Sequence, residues 1–590
     1  MTVMRASGRL MLRGLGVMTL WGCARSDPAL NIPLTERARP ASDYNARLRG
    51  SAPPVVATVD FPRIVRAREE PQNWLTYHGT YDGQRYSTLD QINTSNVASL
   101  RPAWAFQTGA VGLIASPATY ALQSTPIVVD GVMFLSGFDG NVWALDAATG
   151  ELLWNYQHAI PLDVPLCCGN VNRGVAVARG KVFYATPHGH LLALDAQTGK
   201  LLWDRIFVDV RAGESSTGAP IVVKDVVVAG SAGAEYGVRG HLDAFDIETG
   251  RPRWRRYTIP KPGEPGSETW PATDAWQRGG GTTWVTGTYD PDLDLIYWGI
   301  ANPGPLFDGS TRPGANLYTN SILAIRPNDG SIAWHFQVTP HDLWDYDAVS
   351  EPVLYDLGEG SDRRKLLAQF NKNGYVYILD RTNGRLVRAK PFVRVTWADV
   401  DSLTGVPAVR LTPTPEGTHI CPGPAGGKEW NHATYNPQTG LLYAPVIELC
   451  ATFTRRPREF REGMPYWGGG AITDSTDFWG EVKAFDPATG RAVWTWRAKH
   501  PMVASLLSTA GGLVFAAEPT GEMLALDART GALLWRLQTG SGVHGSIITY
   551  AVRGKQYVAV TTGWGGWVKG FAPELAAAPR GGALFVFALP

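Results

Sequence analysis

Ala144-Leu-Asp-Ala-Ala-Thr-Gly-Glu-Leu-Leu-Trp154 returns as Ala193-Leu-Asp-Ala-Gln-Thr-Gly-Lys-Leu-Leu-Trp203 and as Ala244-Phe-Asp-Ile-Glu-Thr-Gly-Arg-Pro-Arg-Trp254. Late copies are Ala484-Phe-Asp-Pro-Ala-Thr-Gly-Arg-Ala-Val-Trp494 and Ala525-Leu-Asp-Ala-Arg-Thr-Gly-Ala-Leu-Leu-Trp535. Ala324-Ile-Arg-Pro-Asn-Asp-Gly-Ser-Ile-Ala-Trp334 is a looser copy, and Ile378-Leu-Asp-Arg-Thr-Asn-Gly-Arg-Leu386 lacks the closing tryptophan. In the five close copies a strand ends at the Asp, Asp-x-x-Thr-Gly turns the chain with Gly free to take positive φ, and a second strand delivers Trp. Neighbouring copies start 49, 51 and 41 residues apart, a spacing that suits one four-stranded unit each. Counting the copies and the weaker segments at each end predicts an all-β chain folded as an eight-bladed β-propeller. A solenoid is the competing architecture. The tryptophans read as packing between blades, and Ala583-Leu-Phe-Val-Phe-Ala588 is expected to pair with the first segment and close the ring.

Composition agrees with short strands and tight turns: 66 Gly, 42 Pro and 22 Trp in 590 residues. With 54 basic against 53 acidic side chains, the balance argues against a general nucleic-acid surface or a polybasic membrane face. Residues 1–23 read as an export signal, with Arg5, Arg9 and Arg13 ahead of a short apolar run. It ends in Leu20-Trp21-Gly22-Cys23, similar to a bacterial lipoprotein box, so a lipid anchor at Cys23 in the outer membrane and a periplasmic location are expected. An ordinary signal peptide cut nearby is the alternative. Residues 24–72 read as a flexible Arg/Pro/Ala tether and 73–590 as the propeller. No later run of 18 apolar residues could cross a bilayer. Four further cysteines allow three pairings. The adjacency of Cys167 and Cys168 favours joining those two, and Cys421 to Cys450. No Cys-x-x-Cys-His is present to attach haem.

Chemistry concentrates in Thr339-Pro-His-Asp-Leu-Trp-Asp-Tyr-Asp-Ala348. On a strand, Asp345 and Asp347 would share a face. Two carboxylates held together repel unless a cation sits between them, and hard cations take oxygen ligands. A solvated Asp/aromatic loop is the plainer reading of these ten residues taken alone. Long irregular pieces at 259–280, 303–318, 395–430 and 452–480 interrupt the repeats. The last carries Phe453, Phe460, Tyr466, Trp467, Phe478 and Trp479, an aromatic set that reads equally as a lid or as a plain propeller insertion.

Motifs far apart in the chain point one way: Cys167-Cys-Gly-Asn-Val-Asn-Arg173, Glu214-Ser-Ser-Thr-Gly-Ala-Pro220, Gly230-Ser-Ala-Gly-Ala-Glu-Tyr-Gly-Val-Arg-Gly240, Gly279-Gly-Gly-Thr-Thr-Trp284 and Gly299-Ile-Ala-Asn-Pro-Gly-Pro305. With them the body resembles the alcohol dehydrogenases that use pyrroloquinoline quinone (PQQ), the methanol and ethanol dehydrogenase group. The resemblance implies that a Cys167–Cys168 ring covers one face of the quinone, that Trp284 lies under the other, and that Arg173 holds a cofactor carboxylate. It makes Thr217 a hydroxyl donor and places Gln123, Gly233, Ala234, Lys372 and Trp567 against the cofactor. Glu235, Asn302, Asp345 and Asp347 become metal ligands, with Asp345 also the catalytic base. Departures from the family pattern are Gln123 where several relatives have Glu, Ala232 where Ser is frequent, and Lys372 where many have the planar fork of Arg. Gly426-Gly-Lys-Glu-Trp-Asn431 is expected to face the site, with no contact residue assigned.

The implied activity is oxidation of an alcohol to an aldehyde by hydride transfer to metal-bound PQQ, on the periplasmic side. Electrons would pass to a separate c-type cytochrome. Glu235, Asp345, Asp347 and a quinone carboxylate suit a lanthanide ion better than Ca2+. Two rivals share the repeat phrase: a non-catalytic lipoprotein scaffold of the outer-membrane assembly type, and a quinoprotein acting on sugars or polyols.

Overall fold

In the computed structural model, residues 55–56, 58–108, 121–161, 166–563, 575 and 581–590 are described. The repeat phrase folds as read. Strands Asn141–Asp146 and Leu152–Gln157 form a hairpin. At its turn the Asp146 carboxylate accepts the Ala148 and Thr149 N–H groups at 2.8 and 3.0 Å. Gly150 turns the chain at φ +76°. The same side-chain-capped turn recurs at Asp195, Asp246, Asp380, Asp486 and Asp527, because Asx turns and a left-handed glycine satisfy the backbone locally.

Among the described residues the strands gather into eight sheets of four or five strands, spanning 127–157, 176–206, 221–257, 288–337, 353–391, 418–498, 507–538 and 547–588, and one small two-stranded ribbon, Ala398–Val400 with Pro407–Val409. Arg101–Gln107 supplies the outer strand of the last sheet and pairs antiparallel with Ala583–Ala588, in the expected closing contact. Tyr86–Ser87 adds a parallel edge to the 507–538 sheet.

Why Trp and Gly recur together is now physical. Each indole lies over the turn glycine of the next sheet. A Cβ on Gly199 would stand 2.6 Å from the Trp154 ring; on Gly250, 2.7 Å from Trp203; on Gly330, 2.6 Å from Trp254; on Gly384, 2.5 Å from Trp334. The indole N–H groups of Trp154, Trp254, Trp334 and Trp494 donate to carbonyls of the neighbouring turn. Trp535 donates at 3.0 Å to the Leu100 carbonyl, across the closure. Where the copy lacks its tryptophan, the following glycine, Gly490, has ordinary contact distances of 3.4–3.5 Å to Val376 and Lys390.

Two expectations need correction. The tether does not extend to residue 72: Asp60 caps the short helix Phe61–Val65, Val59 and Ile64 are buried, and Arg63 bridges Glu70 and Asp130 at 2.8 and 2.6 Å. Apolar residues inside the arginine-rich stretch give it something to bury. Residues 452–480 are mostly not irregular either. Strands Leu441–Arg455 and Gly469–Phe485 run on as one long hairpin. The Cys23 box and Trp567 lie outside the described residues.

Candidate active site

The Thr339–Ala348 stretch is a loop, so strand alternation is not what brings its acids together. Asp345 sits in the left-handed region at φ +67°. The Asp342 carboxylate holds the loop by accepting the Trp344 and Tyr346 N–H groups at 3.1 and 2.9 Å. Buried Arg312 fastens it to the neighbouring segment, donating to the carbonyls of Asp342 (2.6 Å) and Pro305 (2.8 Å). That places Asp347 under Asn302, whose backbone N–H donates to the Asp347 carboxylate at 2.9 Å.

Both acids then meet one ammonium. Lys372 Nζ lies 3.5 Å from Asp345, 3.2 Å from Asp347 and 3.2 Å from Glu429. Burial alone would depress the lysine, but the three carboxylates outweigh it and hold it charged. Asp345 is pushed well above the carboxylate range by burial, against the pull of Lys372 and with reinforcement from Asp347 and Glu235. Glu235 is pushed up to about 7 by burial and by Asp347, and Asp342 up to about 6 by burial. Three carboxylates thus meet one lysine in a low-dielectric interior, with Glu235 and Asp342 coupled to them, a crowding of acids that a bound cation would relieve.

Glu235 is carried by the single turn Ala234–Tyr236, flanked by Gly233 and Gly237 at φ +108° and +68°. A Cβ on Gly233 would strike the Gly213 carbonyl, so Gly is required there. The Glu235 carboxylate and the sulfurs of Cys167 and Cys168 lie within 4.8 Å of one another. Those sulfurs are joined to each other, and Cys421 is joined to Cys450, the pairing favoured by the sequence.

Across the centre, the Arg173 guanidinium stacks on Trp284 at 4.7 Å and on Trp430 at 4.5 Å. Its Nη1 donates to the Thr217 hydroxyl at 2.8 Å. Burial lowers the guanidinium to about 10. The Gln123 side-chain amide reaches His544 at 3.3 Å, and His544 packs on Trp430. The sequence-predicted residues among those described therefore converge in two groups: Asn302, Asp345, Asp347 and Lys372, with Glu235 electrostatically coupled to them, and Arg173, Thr217 and Trp284, with Gln123 joined through Trp430.

Several buried polar atoms here have no hydrogen-bond partner among the described residues: Asn302 Oδ1, Gln123 Oε1, Arg173 Nε, Trp430 Nε1 and Asn431 Oδ1. Buried polar atoms are ordinarily satisfied. Oxygen donors beside crowded acids fit a hard cation, and the buried arginine between two indoles fits a planar anionic partner.

Glu429 and Trp430 were missed as site residues. Their segment was expected to face the site, but which side chain points inward depends on the loop's path and not on spacing. The six aromatics do not form one lid. Phe460 and Tyr466 cover Gly237, and the Tyr466 N–H donates to the Glu235 carbonyl at 2.6 Å. Phe453 packs with Phe307 and Trp344. Trp479 is instead stacked between Arg394 and Arg497.

Residues 74–414 match the family described as glucose/ethanol/alcohol dehydrogenase, beta-propeller domain, and 479–568 match that of outer membrane protein assembly factor BamB. The chain is 38% identical to quinoprotein alcohol dehydrogenase PedH of Pseudomonas putida, covering 90% of this chain and 94% of that one. It is 38% identical to the lanthanide-dependent methanol dehydrogenase of Methylacidiphilum fumariolicum, over 85% and 87% of the two chains. A europium-containing methanol dehydrogenase structure superposes with a TM-score of 0.83 at 36% identity, covering 90% of this chain and all of that one.

Proposed function

The chain belongs to the PQQ-dependent alcohol dehydrogenases, and from that premise we propose that the Lys372 carboxylate cluster and the Arg173 stack are the two halves of its active site, working on an alcohol outside the cytoplasm. The observation that carries the assignment is the convergence of Asp345, Asp347 and Glu429 on one ammonium beside the orphaned Asn302 Oδ1. We read the eight sheets as eight blades arranged around this centre.

When bound, PQQ supplies the two-electron acceptor and its metal ion the Lewis acid. Everything else falls to the chain. Glu235, Asn302, Asp345 and Asp347 would hold the metal through oxygen. Arg173, Thr217 and Lys372 would hold the quinone's anionic and carbonyl edges, with Trp284 and the Cys167–Cys168 ring offering faces. Asp345, whose basicity burial raises, would accept the alcohol hydroxyl proton. Lys372, shared between Asp345 and Asp347, keeps positive charge at that position.

The presence of Asp347 beside Asp345, and the similarity to a lanthanide-dependent relative, support a trivalent ion. A separate c-type cytochrome is the proposed electron acceptor, since the sequence has no haem-attachment motif. Export and an anchor at Cys23 to the outer membrane are proposed on the N-terminal sequence, with an ordinary signal peptide cut nearby as the alternative. A scaffold would have no use for buried acids around a lysine. The assembly-factor match falls on 479–568, which contains none of Glu235, Asp345, Asp347, Lys372 and Glu429.

Reconstitution with PQQ plus either Ca2+ or a light lanthanide, followed by dye-linked oxidation of a panel of alcohols, tests the reading. Turnover with lanthanide alone supports Asp347 as a ligand. Equal turnover with Ca2+ removes that inference, and no turnover with either removes the active-site assignment.

A further inference from the structure

Glu429 is buried in the centre of the site, 4% exposed, and no family motif quoted above gives it a role. Its two oxygens are both engaged. Oε1 lies 3.2 Å from Lys372 Nζ, and Oε2 accepts the Trp430 N–H at 3.1 Å. The main chain at Glu429 is fixed too, its carbonyl accepting from Lys428 Nζ at 3.1 Å and from the Ser350 hydroxyl at 3.3 Å. Lys428 is itself pinned by Glu351 at 3.0 Å. Glu429 is thus fixed in place and offers the ammonium that Asp345 and Asp347 share a third carboxylate partner.

We propose that Glu429 is a positioning residue: it draws the Lys372 ammonium away from Asp345 and Asp347, so that those two carboxylates stay available to a bound cation. Lys372 divides its ammonium among three carboxylates, 3.2 Å from both Glu429 and Asp347 and 3.5 Å from Asp345, so Glu429 competes with the two aspartates for it. Without the third carboxylate the ammonium would settle between the two aspartates and compete with the cation for their oxygens. The inference rests on the proposed metal centre and names the device that keeps its lysine from occupying it.

The test titrates terbium(III) alone into the full chain and reads tryptophan-sensitised luminescence, which needs no turnover. Glu429→Gln should weaken terbium binding about tenfold. Glu429→Asp keeps the charge but is one methylene shorter and cannot reach Lys372, so it should weaken binding nearly as much. In a Lys372→Met background the competitor is gone, and Glu429→Gln should change affinity by less than threefold. Wild-type affinity in Glu429→Asp would overturn the proposal, because charge alone would then suffice. So would a full tenfold loss that persists in the Lys372→Met background, which would make Glu429 act on the cation directly. If the unaltered chain binds no terbium, the metal centre itself falls, and this inference with it. Binding by the unaltered chain that Glu429→Gln leaves unchanged removes only the inference.

Discussion

At the scale of single residues, burial decides what each titratable group does. Asp345 is a raised carboxylate because it is desolvated next to other acids, and only Lys372 pulls it back. Asp345→Ala should lower turnover about 10²–10⁴-fold while the affinity for PQQ stays within a few-fold, compared by dye-linked assay and cofactor titration. Near-normal turnover would remove its role as base. Histidines show burial acting the other way. It pushes His78 down to about 3 and His188 down to about 4, from an ordinary value near 6.5. As pH falls, the unfolded chain takes up these protons first. Their contribution is whole above pH 6.5 and declines below it, by about 1.4 kcal/mol per pH unit for each histidine, until the folded value is reached. Glu235, raised to about 7, works in the opposite sense over the same range. The measurement is therefore a difference. By denaturant unfolding, His188→Gln should gain on the unaltered chain as pH drops from 6.5 to 4, and parallel curves would contradict the account.

At the scale of the element, the unit is an Asx-capped hairpin whose tryptophan covers the next hairpin's glycine. Gly199→Ala has two faults at once: φ of +73°, and a Cβ 2.6 Å from the Trp154 ring. It should lose about 2–4 kcal/mol. A control at Gly180, also at positive φ (+70°) but with no atom within 4 Å of its Cβ, should lose only the conformational part, about 1 kcal/mol. Equal losses at the two positions, measured by thermal or denaturant unfolding, would show that the Trp–Gly contact adds nothing. The elements that carry chemistry are the irregular ones. Asp345 and Glu235 lie on loops bent through left-handed residues and fastened by Asp342, Arg312 and the Tyr466 N–H. Such loops leave little periodic trace in a sequence. The motifs marked Glu235, Asn302 and Asp345, while Glu429 and the path of Trp430 stayed illegible.

At the scale of the whole molecule, Arg101–Gln107 from near the start of the folded body and the last strand share a sheet, and Trp535 reaches the carbonyl of Leu100 across the join. Such a closed array leaves no free sheet edge at the seam. Deleting residues 583–590 would expose Arg101–Gln107 and the 555–562 strand together. The truncated chain should lose its cooperative thermal transition and aggregate. A sharp, reversible transition by circular dichroism in that variant would show that the seam is dispensable.

What the amino-acid order settled by itself was local: where a turn needs an Asp and a glycine, where an indole needs a neighbour, and how the repeated hairpins follow one another. Those are short-range demands of backbone and side chain, legible in a single repeat. Which acids would stand around Lys372, that Arg173 would lie between two indoles, and that residues 58–72 would fold against the body were decided only by the closed tertiary structure. Such contacts join residues from tens to hundreds of positions apart, and their energies depend on burial that no local pattern encodes.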